Sequence, residues 1–319
     1  MNECKPVSKV LVLEDSPAHV GAIRNFCDAN NLIGVKVSKS RLTSALRSNI
    51  DLGAVFVSEN YGGSPDESAA IALRINEARP ELPIIVRREF SPTLDNLPTV
   101  LGAVACGAYV ASDMASLRKV LDEYIFRLDY PHALVHGISE MTRSVLGRLF
   151  SEMSVAMEAP CIVRDRIIFG EVFSLIPLES SWCRGYMMIQ AEEEPILALL
   201  NRREAHRSAA GFRELNSVLG ELTNLIWGAF KNRYVGDVLA LSRSQVQVPL
   251  LINHKQKYIS FGSENPHLCF TYRLTDEHAV HTVKLHQRIA FSLSWSPEDF
   301  KEFAEDASAT VGAGELDLF

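Results

Sequence analysis

The 319-residue sequence contains no run of eighteen apolar residues, about the length that crosses a bilayer, so it predicts no transmembrane helix. Its first residues include an acid, a lysine and a proline and no apolar core, so we expect no secretory signal. The net charge of −7 at pH 7 lacks the basic surplus that broad nucleic-acid or anionic-membrane binding needs. These absences favour a globular protein of the cytoplasm.

The cysteines form no C-x-x-C pair, and most lie in apolar runs, so we expect reduced core residues rather than disulfides or metal ligands. They are Cys4, Cys27, Cys106, Cys161, Cys183 and Cys269. His278, His281 and His286 are close in sequence, but their spacing sends them to different faces of a strand. We therefore expect a half-exposed strand there, and the sequence predicts no metal site.

The length exceeds one typical core, while 47% hydrophobic and 22% charged residues describe an ordinary globular composition. We predict a first domain over residues 1–128 and a second over 129–295, joined by a hinge at Leu128–Pro131. Residues 296–319 are predicted to form a short helix, capped at Ser296-Pro297, and a flexible tail. The tail reads either as a tethered docking peptide or as an end that packs locally.

The first domain alternates short apolar runs with helical patterns, which predicts a parallel, doubly wound α/β sheet. The predicted strands are Lys9–Leu13, Val35–Ser38, Ala54–Val57, Pro83–Val86 and Ala108–Ala111. The predicted helices are Ala18–Ala29, Arg41–Ser48, Pro65–Ala78, Pro92–Ala105 and Met114–Arg127. In such sheets the functional crevice lies at the carboxyl ends of the strands.

The first strand ends in Glu14-Asp15, and the fifth follows Cys-Gly107. With this pattern the first 127 residues resemble the receiver domain of two-component response regulators. The resemblance implies that the acid pair holds Mg²⁺ and that an aspartate at the end of the third strand accepts a phosphoryl group. It also implies a hydroxyl residue on the fourth strand and a lysine on the fifth.

The sequence departs from that pattern at three positions. Ser58 takes the acceptor position, Arg88 stands where the hydroxyl residue belongs, and Ser112-Asp113 replace the lysine. A serine cannot form the mixed anhydride of an acyl phosphate. We therefore predict a degenerate receiver that serves as a scaffold or docking domain.

Two alternatives remain open for the first domain. The pair Glu14-Asp15 is either a vestigial Mg²⁺ site or a solvated strand end that caps a helix. A shift of one residue would offer Glu59 as acceptor, and the domain would then be a working response regulator that uses Glu59 or Asp15.

In the second domain a helical segment carries Ser217, Glu221, Asn224 and Gly228 on one narrow face. The opposite arc is apolar: Leu215, Val218, Leu219, Leu222, Leu225, Ile226, Ala229 and Phe230. The apolar arc explains the helix and its packing. The solvent-facing side carries an acid, an amide and a glycine. A helix face that serves only solubility usually carries Lys/Glu pairs instead.

The segment Glu140–Gly147 repeats the pattern of Glu221–Gly228 at a distance of 81 residues. A proline-opened strand follows each helix, then a second apolar strand that reaches Gly170 or Gly262. We predict an α+β domain of two related units, each with a helix packed on a shared antiparallel sheet. Further expected elements are the strands Val172–Pro177, Arg184–Gln190, Leu268–Arg273 and His281–Ile289 and the helix Pro195–Arg203.

The pattern S-x-x-x-E-x-x-N from Ser217 to Asn224, followed by Pro249, resembles the CheC/CheX/FliY chemotaxis phosphatase family from about Pro131 to Phe291. The first copy has Arg143 in place of the amide and His136 in place of the serine. One intact and one degenerate copy resemble the CheX branch.

The resemblance implies a protein phosphatase that hydrolyses the aspartyl phosphate of a separate CheY-like response regulator. Asn224 would position the attacking water, Glu221 would contact the partner's lysine, and Ser217 and Gly228 would lie against the partner. Mg²⁺ is expected only in the partner's active site, and no tightly bound cofactor is implied. The alternative is a non-catalytic adaptor that binds receivers without turnover. Edge strands of the second domain would also allow a sheet-extended homodimer.

Overall fold

A computed structural model describes residues 6–203, 210–235, 251–253, 255–276 and 282–303 of the chain. Pro249, His278, His281 and the tail beyond residue 303 lie outside the described residues, so the predictions made for them stay predictions. Within the described part, no helix is long and apolar enough to span a membrane.

The amino-terminal part is a five-stranded parallel sheet with helices, as the sequence predicted. Its strands are β1 (Ser8–Leu13), β2 (Leu32–Lys36), β3 (Leu52–Ser58), β4 (Ile84–Arg88) and β5 (Gly107–Val110). Its helices are α1 (Pro17–Ala29), α2 (Leu42–Ser48), α3 (Pro65–Ala78), α4 (Thr99–Val104) and α5 (Met114–Tyr124). The strand order β2-β1-β3-β4-β5 is the flavodoxin-like doubly wound order, and β3 is buried along its whole length.

Local chemistry explains which helix boundaries were predicted well. Helix α3 has the predicted bounds because Ser64 caps it by accepting from the Glu67 N–H at 3.2 Å, with Pro65 at the first position. Helix α4 begins only at Thr99, so the predicted start at Pro92 is wrong. The preceding loop is instead held by Arg88, whose guanidinium donates to the carbonyl of Thr93 at 2.7 Å.

The second domain is built on an antiparallel sheet in which the strands Met153–Met157, His267–Asp276, Thr282–Trp295, Cys183–Ala191 and Val172–Glu179 lie side by side in that order, and Cys161–Val163 also pairs with His267–Asp276. Its helices are α6 (His132–Leu149), α7 (Glu193–Arg203) and α8 (Phe212–Tyr234). Its strands are β6 (Met153–Met157), β7 (Cys161–Val163), β8 (Val172–Glu179), β9 (Cys183–Ala191), β10 (Leu251–Asn253), β11 (Tyr258–Ser260), β12 (His267–Asp276) and β13 (Thr282–Trp295).

Strands β9 and β13 pair at the centre of this sheet, and β8 and β12 flank them. Helices α6 and α8 pack against one another. The predicted strand before Gly170 is wrong: only Ile167 forms a bridge, to Tyr258, and β10 and β11 form a separate two-stranded sheet. The chain there is held by Asp165, whose carboxylate accepts from the Ile167 N–H at 3.1 Å. Strand β6 was not predicted.

The two domains make direct backbone contact. The Val7 N–H donates to the Pro160 carbonyl at 2.9 Å, and the Ile162 N–H donates to the Val7 carbonyl at 2.7 Å. The segment predicted as a hinge is packed rather than open. Tyr130 in that segment is 6% exposed, and its hydroxyl donates to the carbonyl of Pro266 at 2.9 Å. Such an interface fixes the domains more firmly than a flexible linker would.

Three smaller predictions can be compared with the structure. The predicted helix after Ser296 is a single 3₁₀ turn, Pro297–Asp299, within the described residues. After it, Phe300 packs edge-on against Trp182 with 5.1 Å between ring centroids. His286 is buried rather than half-exposed, at 6%. The five described cysteines are free thiols and four are buried, as expected.

Candidate functional site

The candidate site is the exposed face of α8. Glu221 and Asn224 are both exposed, whereas Leu219, Leu222 and Ile226 of the same helix are buried against the core. Six apolar or aromatic side chains fix α8 in this orientation, each of which contributes about 1.5–3 kcal/mol when fully buried. They are Leu215, Leu219, Leu222, Ile226, Phe230 and Tyr234. The helix therefore holds the acid and the amide on a rigid support.

Neither functional group is held by another residue that the structure describes. Among the described residues, Glu221 and Asn224 have no hydrogen bond or ion pair with another side chain. Their surroundings are open as well, because a Cβ added at Gly220 or Gly228 would meet no atom within 4 Å. Ser217, one turn before Glu221, is also exposed. The structure thus brings Ser217, Glu221, Asn224 and Gly228 to one accessible surface.

The side chains on this face can orient a bound water or a partner group, but they include no group that would act as a nucleophile. A carboxamide accepts a hydrogen bond through its oxygen and donates through its nitrogen, so Asn224 can hold a water in a fixed orientation. A carboxylate such as Glu221 can accept from a cationic side chain of a partner. Within the described residues, no group of three or more His, Cys, Asp or Glu could hold a metal ion. The chemistry open to this face is the positioning of groups that a second molecule supplies.

The corresponding face of α6 differs in how its acid is held. Glu140, which matches Glu221, lies 3.3 Å from His136 Nδ1 and 3.3 Å from an Nη of Arg233. Arg143, exposed, stands at the position of Asn224, and Gly147 is open like Gly228. The α6 face therefore has a carboxylate already engaged by two cation-forming groups and no amide.

The acid pair of the first domain does not form an open site. Glu14 is 3% exposed, and its two oxygens accept from Arg87 Nε at 2.5 Å and from the Ser16 N–H at 2.9 Å. The same guanidinium donates to Ser58 Oγ at 2.8 Å. Asp15 is exposed and accepts from the Gly62 N–H at 2.8 Å. We call Glu14, Ser58 and Arg87 the acid pocket.

The residues of the acid pocket do not fit a Mg²⁺ ion. Arg87 places a permanent cation against Glu14. Burial lowers the pKa of the Arg87 guanidinium, but the hydrogen bond and the charge of Glu14 outweigh burial, so this pKa is raised. A metal ion would have to compete with this buried charge for the same carboxylate. The sequence expectation of Arg88 at this strand end is corrected, because it is Arg87 that pairs with Ser58 in the register of β3 and β4.

Arg88 instead serves the next loop and engages Glu59. Its Nε donates to Glu59 Oε2 at 3.1 Å, and the Glu89 N–H donates to Glu59 Oε1 at 2.8 Å. Glu59, the alternative acceptor, therefore has both oxygens occupied. At the end of β5, Asp113 caps α5 by accepting from the Ala115 N–H at 3.1 Å.

Sequence reasoning missed Arg87 and Arg233. Two adjacent arginines, Arg87 and Arg88, end β4. Because successive side chains of a strand point to opposite faces of the sheet, the sequence could have indicated that one of the two faces Glu14. Arg233 offered no comparable clue, because its contact with Glu140 joins residues 93 apart in the sequence.

Comparison with known proteins gives a partial likeness to solved structures. A chemotactic CheC-like protein from Shewanella oneidensis is 15% identical, with 49% of this chain and 96% of that chain covered and a TM-score of 0.30. A putative chemotaxis protein from Desulfovibrio vulgaris Hildenborough is 13% identical, covering 49% and 95%, with a TM-score of 0.33. The chemotaxis protein CheX from Vibrio vulnificus is 17% identical, covering 49% and 98%, with a TM-score of 0.31.

No protein-family model matches the chain, and no curated protein matches it. The structural neighbours are thus named as CheC-like or CheX chemotaxis proteins and align with about half the chain at low identity.

Proposed function

We propose that this protein is a phosphatase that hydrolyses the aspartyl phosphate of a separate receiver protein in a two-component chemotaxis pathway. The observation that carries the proposal is the exposed and unengaged pair Glu221 and Asn224 on a rigid helix. The motif Ser217–Asn224, which resembles that of the CheC/CheX/FliY family, supports the same function.

The reaction needs one water placed in line with the phosphorus, opposite the leaving carboxylate. In our proposal Asn224 accepts a hydrogen bond from this water and holds it there. Because the water is oriented before the reaction begins, less entropy is lost on reaching the transition state. Water adds to phosphorus, the P–O bond to the aspartate breaks, and inorganic phosphate and the free carboxylate are released. The partner's own Mg²⁺ site would supply positive charge to the phosphoryl oxygens.

Glu221 fixes the position of the partner relative to α8. In our proposal its carboxylate accepts from the lysine of the partner's active site, which places Asn224 over the phosphoryl group. Gly228 leaves room for the partner's backbone, because no side chain projects from α8 at that point. The exposed Ser217 would lie at the rim of the same contact.

The substrate in this proposal belongs to another protein. Ser58 stands where a phosphoacceptor would be, and its hydroxyl already accepts from Arg87. Glu14 is engaged by the same guanidinium. We therefore propose that the first domain acts in docking or scaffolding and not as a phosphorylated switch.

The test measures loss of acyl phosphate from a CheY-type receiver that has been phosphorylated with acetyl phosphate in the presence of Mg²⁺. Wild type is expected to accelerate the loss, and Asn224→Ala to reduce the acceleration by about 10²–10³, as for removal of a single oriented polar group in other enzymes. Arg143→Ala on α6 is the matched control and should keep the wild-type rate. Equal rates with wild type and Asn224→Ala would rule out the enzymatic role of the amide.

The second candidate is an adaptor that binds receivers without hydrolysis. Two observations favour it: α6 carries Arg143 where α8 carries Asn224, and the acid pocket is closed by Arg87. An adaptor would bind a phosphorylated receiver through the α8 face, with an affinity sensitive to Glu221→Ala and with no turnover. Binding measured by isothermal titration beside the hydrolysis assay separates the two functions.

A further inference from the structure

Three arginines from both domains are buried together at the domain boundary. Arg79 follows α3, Arg166 lies in the segment after β7, and Arg288 is in β13; they are 4%, 3% and 2% exposed. We call these three side chains the arginine cluster. A guanidinium that leaves water must be paired and hydrogen-bonded, or its burial costs several kcal/mol.

Within the described part of the chain, one of the three is paired with a carboxylate. Arg79 binds Asp165 through Nε and a terminal nitrogen, and it also donates to the Leu46 carbonyl at 2.6 Å. Arg288 donates to the backbone carbonyl of Asp165 at 3.0 Å. Among the described residues, neither Arg166 nor Arg288 has a carboxylate within ion-pair distance.

Arg166 is held by neutral oxygens instead. It donates to Ser260 Oγ at 3.3 Å and to the carbonyl of Ser263. The Nε atoms of Arg166 and of Arg288 are both buried and have no hydrogen-bond partner in the described structure. Two buried N–H donors on charged groups are thus left to be satisfied, which native proteins seldom tolerate without a water or an ion.

The charge around the cluster is not balanced. Lys9 pairs with Asp51, and Arg79 pairs with Asp165, so these two carboxylates are already matched by two cations. Arg166 and Arg288 have no matching carboxylate among the described residues, which leaves a surplus of two positive charges there. Burial first and the nearby Arg288 second lower the pKa of Arg79 to about 10, which shows the mutual repulsion but still leaves the group charged at neutral pH.

His267 completes the cluster with a neutral donor. It is 2% exposed, and its Nδ1 is buried without a partner. Burial, and then the charges of Arg288 and Arg166, lower its pKa well below 6.5. The ring therefore remains neutral, and in that state it can donate one N–H hydrogen bond to an anion.

We propose that the arginine cluster and His267 bind a small inorganic anion, chloride, at the boundary of the two domains. Arg166 Nε, Arg288 Nε and the ring N–H of His267 are the donors, and the anion offsets the surplus positive charge. A monatomic anion suits a cluster whose members are all more than nine-tenths buried. Arg79 of the first domain is held beside this site by Asp165, whose backbone carbonyl accepts from Arg288, so the anion lies next to the contact between the domains.

The test is thermal unfolding of the full chain at constant ionic strength, with chloride replaced stepwise by gluconate. Because a ligand that binds only the folded state stabilises it by RT ln(1 + [L]/Kd), the midpoint should rise with chloride. At a concentration about tenfold above Kd the expected shift is on the order of a few degrees. Sulfate and phosphate at equal ionic strength are the comparison anions.

Arg288→Met is the informative variant, since it removes the charge and keeps much of the volume. It should lose the chloride dependence and be at least as stable as wild type without chloride, because an uncompensated charge has been replaced by an apolar group. Arg166→Met should behave in the same way and serves if the first variant does not fold. Arg118→Met, which removes an exposed ion pair with Asp122, should keep the wild-type chloride dependence.

A wild-type midpoint that is identical in chloride and in gluconate would overturn the proposal. So would stabilisation by sulfate or phosphate alone, or a chloride dependence that persists in both Arg288→Met and Arg166→Met. These outcomes do not depend on phosphatase activity, so the anion site and the proposed function stand or fall separately.

Discussion

The acid pocket of the first domain and the α8 face of the second use similar groups in opposite ways. In the acid pocket, Glu14 is 3% exposed and every polar group is satisfied by the chain itself, chiefly by Arg87. On α8, Glu221 and Asn224 are exposed, and no other described side chain engages them. A carboxylate whose partner is built in contributes to stability. One whose partner is missing is available for binding.

The comparison predicts a separation of effects between the two regions. Changes in the acid pocket should lower the free energy of unfolding and leave the proposed hydrolysis intact. Changes on α8 should do the reverse, because exposed substitutions away from special contacts usually alter stability by less than about 0.5 kcal/mol.

The largest expected effect is the loss of stability in Arg87→Ala. Removal of this guanidinium leaves Glu14 buried without its partner, which typically costs about 3–5 kcal/mol. Urea unfolding measures the change. The double variant Arg87→Met with Glu14→Leu should recover most of the loss, since a matched apolar pair needs no counter-charge. A loss below about 1 kcal/mol in the single variant would show that Glu14 is reached by water.

A pH dependence of stability is expected next in size, from a buried polar group of the second domain. Burial lowers the pKa of His286 from 6.5 to about 4, and its Nδ1 is hydrogen-bonded to Thr271 at 3.0 Å. As the pH falls below 6.5 the unfolded chain binds a proton that the folded chain does not, so stability is complete above that pH and declines towards pH 4. The linked loss amounts to at most roughly 3 kcal/mol.

Urea unfolding at several pH values between 4 and 7 measures this loss. His286→Gln, which cannot titrate but can still bond to Thr271, should flatten the part of the curve that His286 causes. His267, whose pKa is also lowered by burial, will leave a residual slope. An unchanged curve in His286→Gln would mean that the group does not contribute.

A smaller effect is expected from Glu221→Gln on the proposed hydrolysis. Loss of one exposed charge contact to the partner's lysine should lower the rate at limiting receiver concentration by about tenfold, equal to roughly 1.4 kcal/mol. The matched control is Glu140→Gln on α6, which removes a carboxylate already engaged by Arg233 and should leave the rate unchanged. A similar decrease in both variants would show that the faces of α6 and α8 are equivalent.

The smallest expected effects come from two open glycines, Gly228 on α8 and Gly147 on α6. An alanine at either position meets no atom within 4 Å and should stabilise its helix by about 0.5–1 kcal/mol. Only Gly228→Ala should also slow hydrolysis, because only that surface is proposed to approach a partner. Thermal unfolding and the hydrolysis assay together distinguish structural from interfacial roles of the two positions.

The regular elements could largely be predicted from the sequence because their causes are local. Helix α3 has its cap at Ser64 and its proline at Pro65, and both lie beside the segment they start. Helix α4 could not be placed in this way. Its late start at Thr99 depends on a contact from Arg88, which reaches over the loop from the neighbouring strand end.

The same distinction divides the candidate site. The spacing of Ser217, Glu221, Asn224 and Gly228 predicted a shared face, because helix geometry turns spacing into direction. Whether that face stays open depends on residues far away in the sequence. Glu140 has equivalent spacing on α6, yet Arg233, 93 residues later, engages it.

Residue type and local period were enough to predict the alternation of strands and helices in the first domain and the apolar stripe of α8. Which carboxylates have partners depends on the folding of distant segments onto one another. The fold places Arg87 beside Glu14 and Arg233 beside Glu140. None of the described residues pairs with Glu221. The physical reason is that a charge is satisfied by whatever the fold places within a few ångströms of it, and chain separation carries no information about that distance.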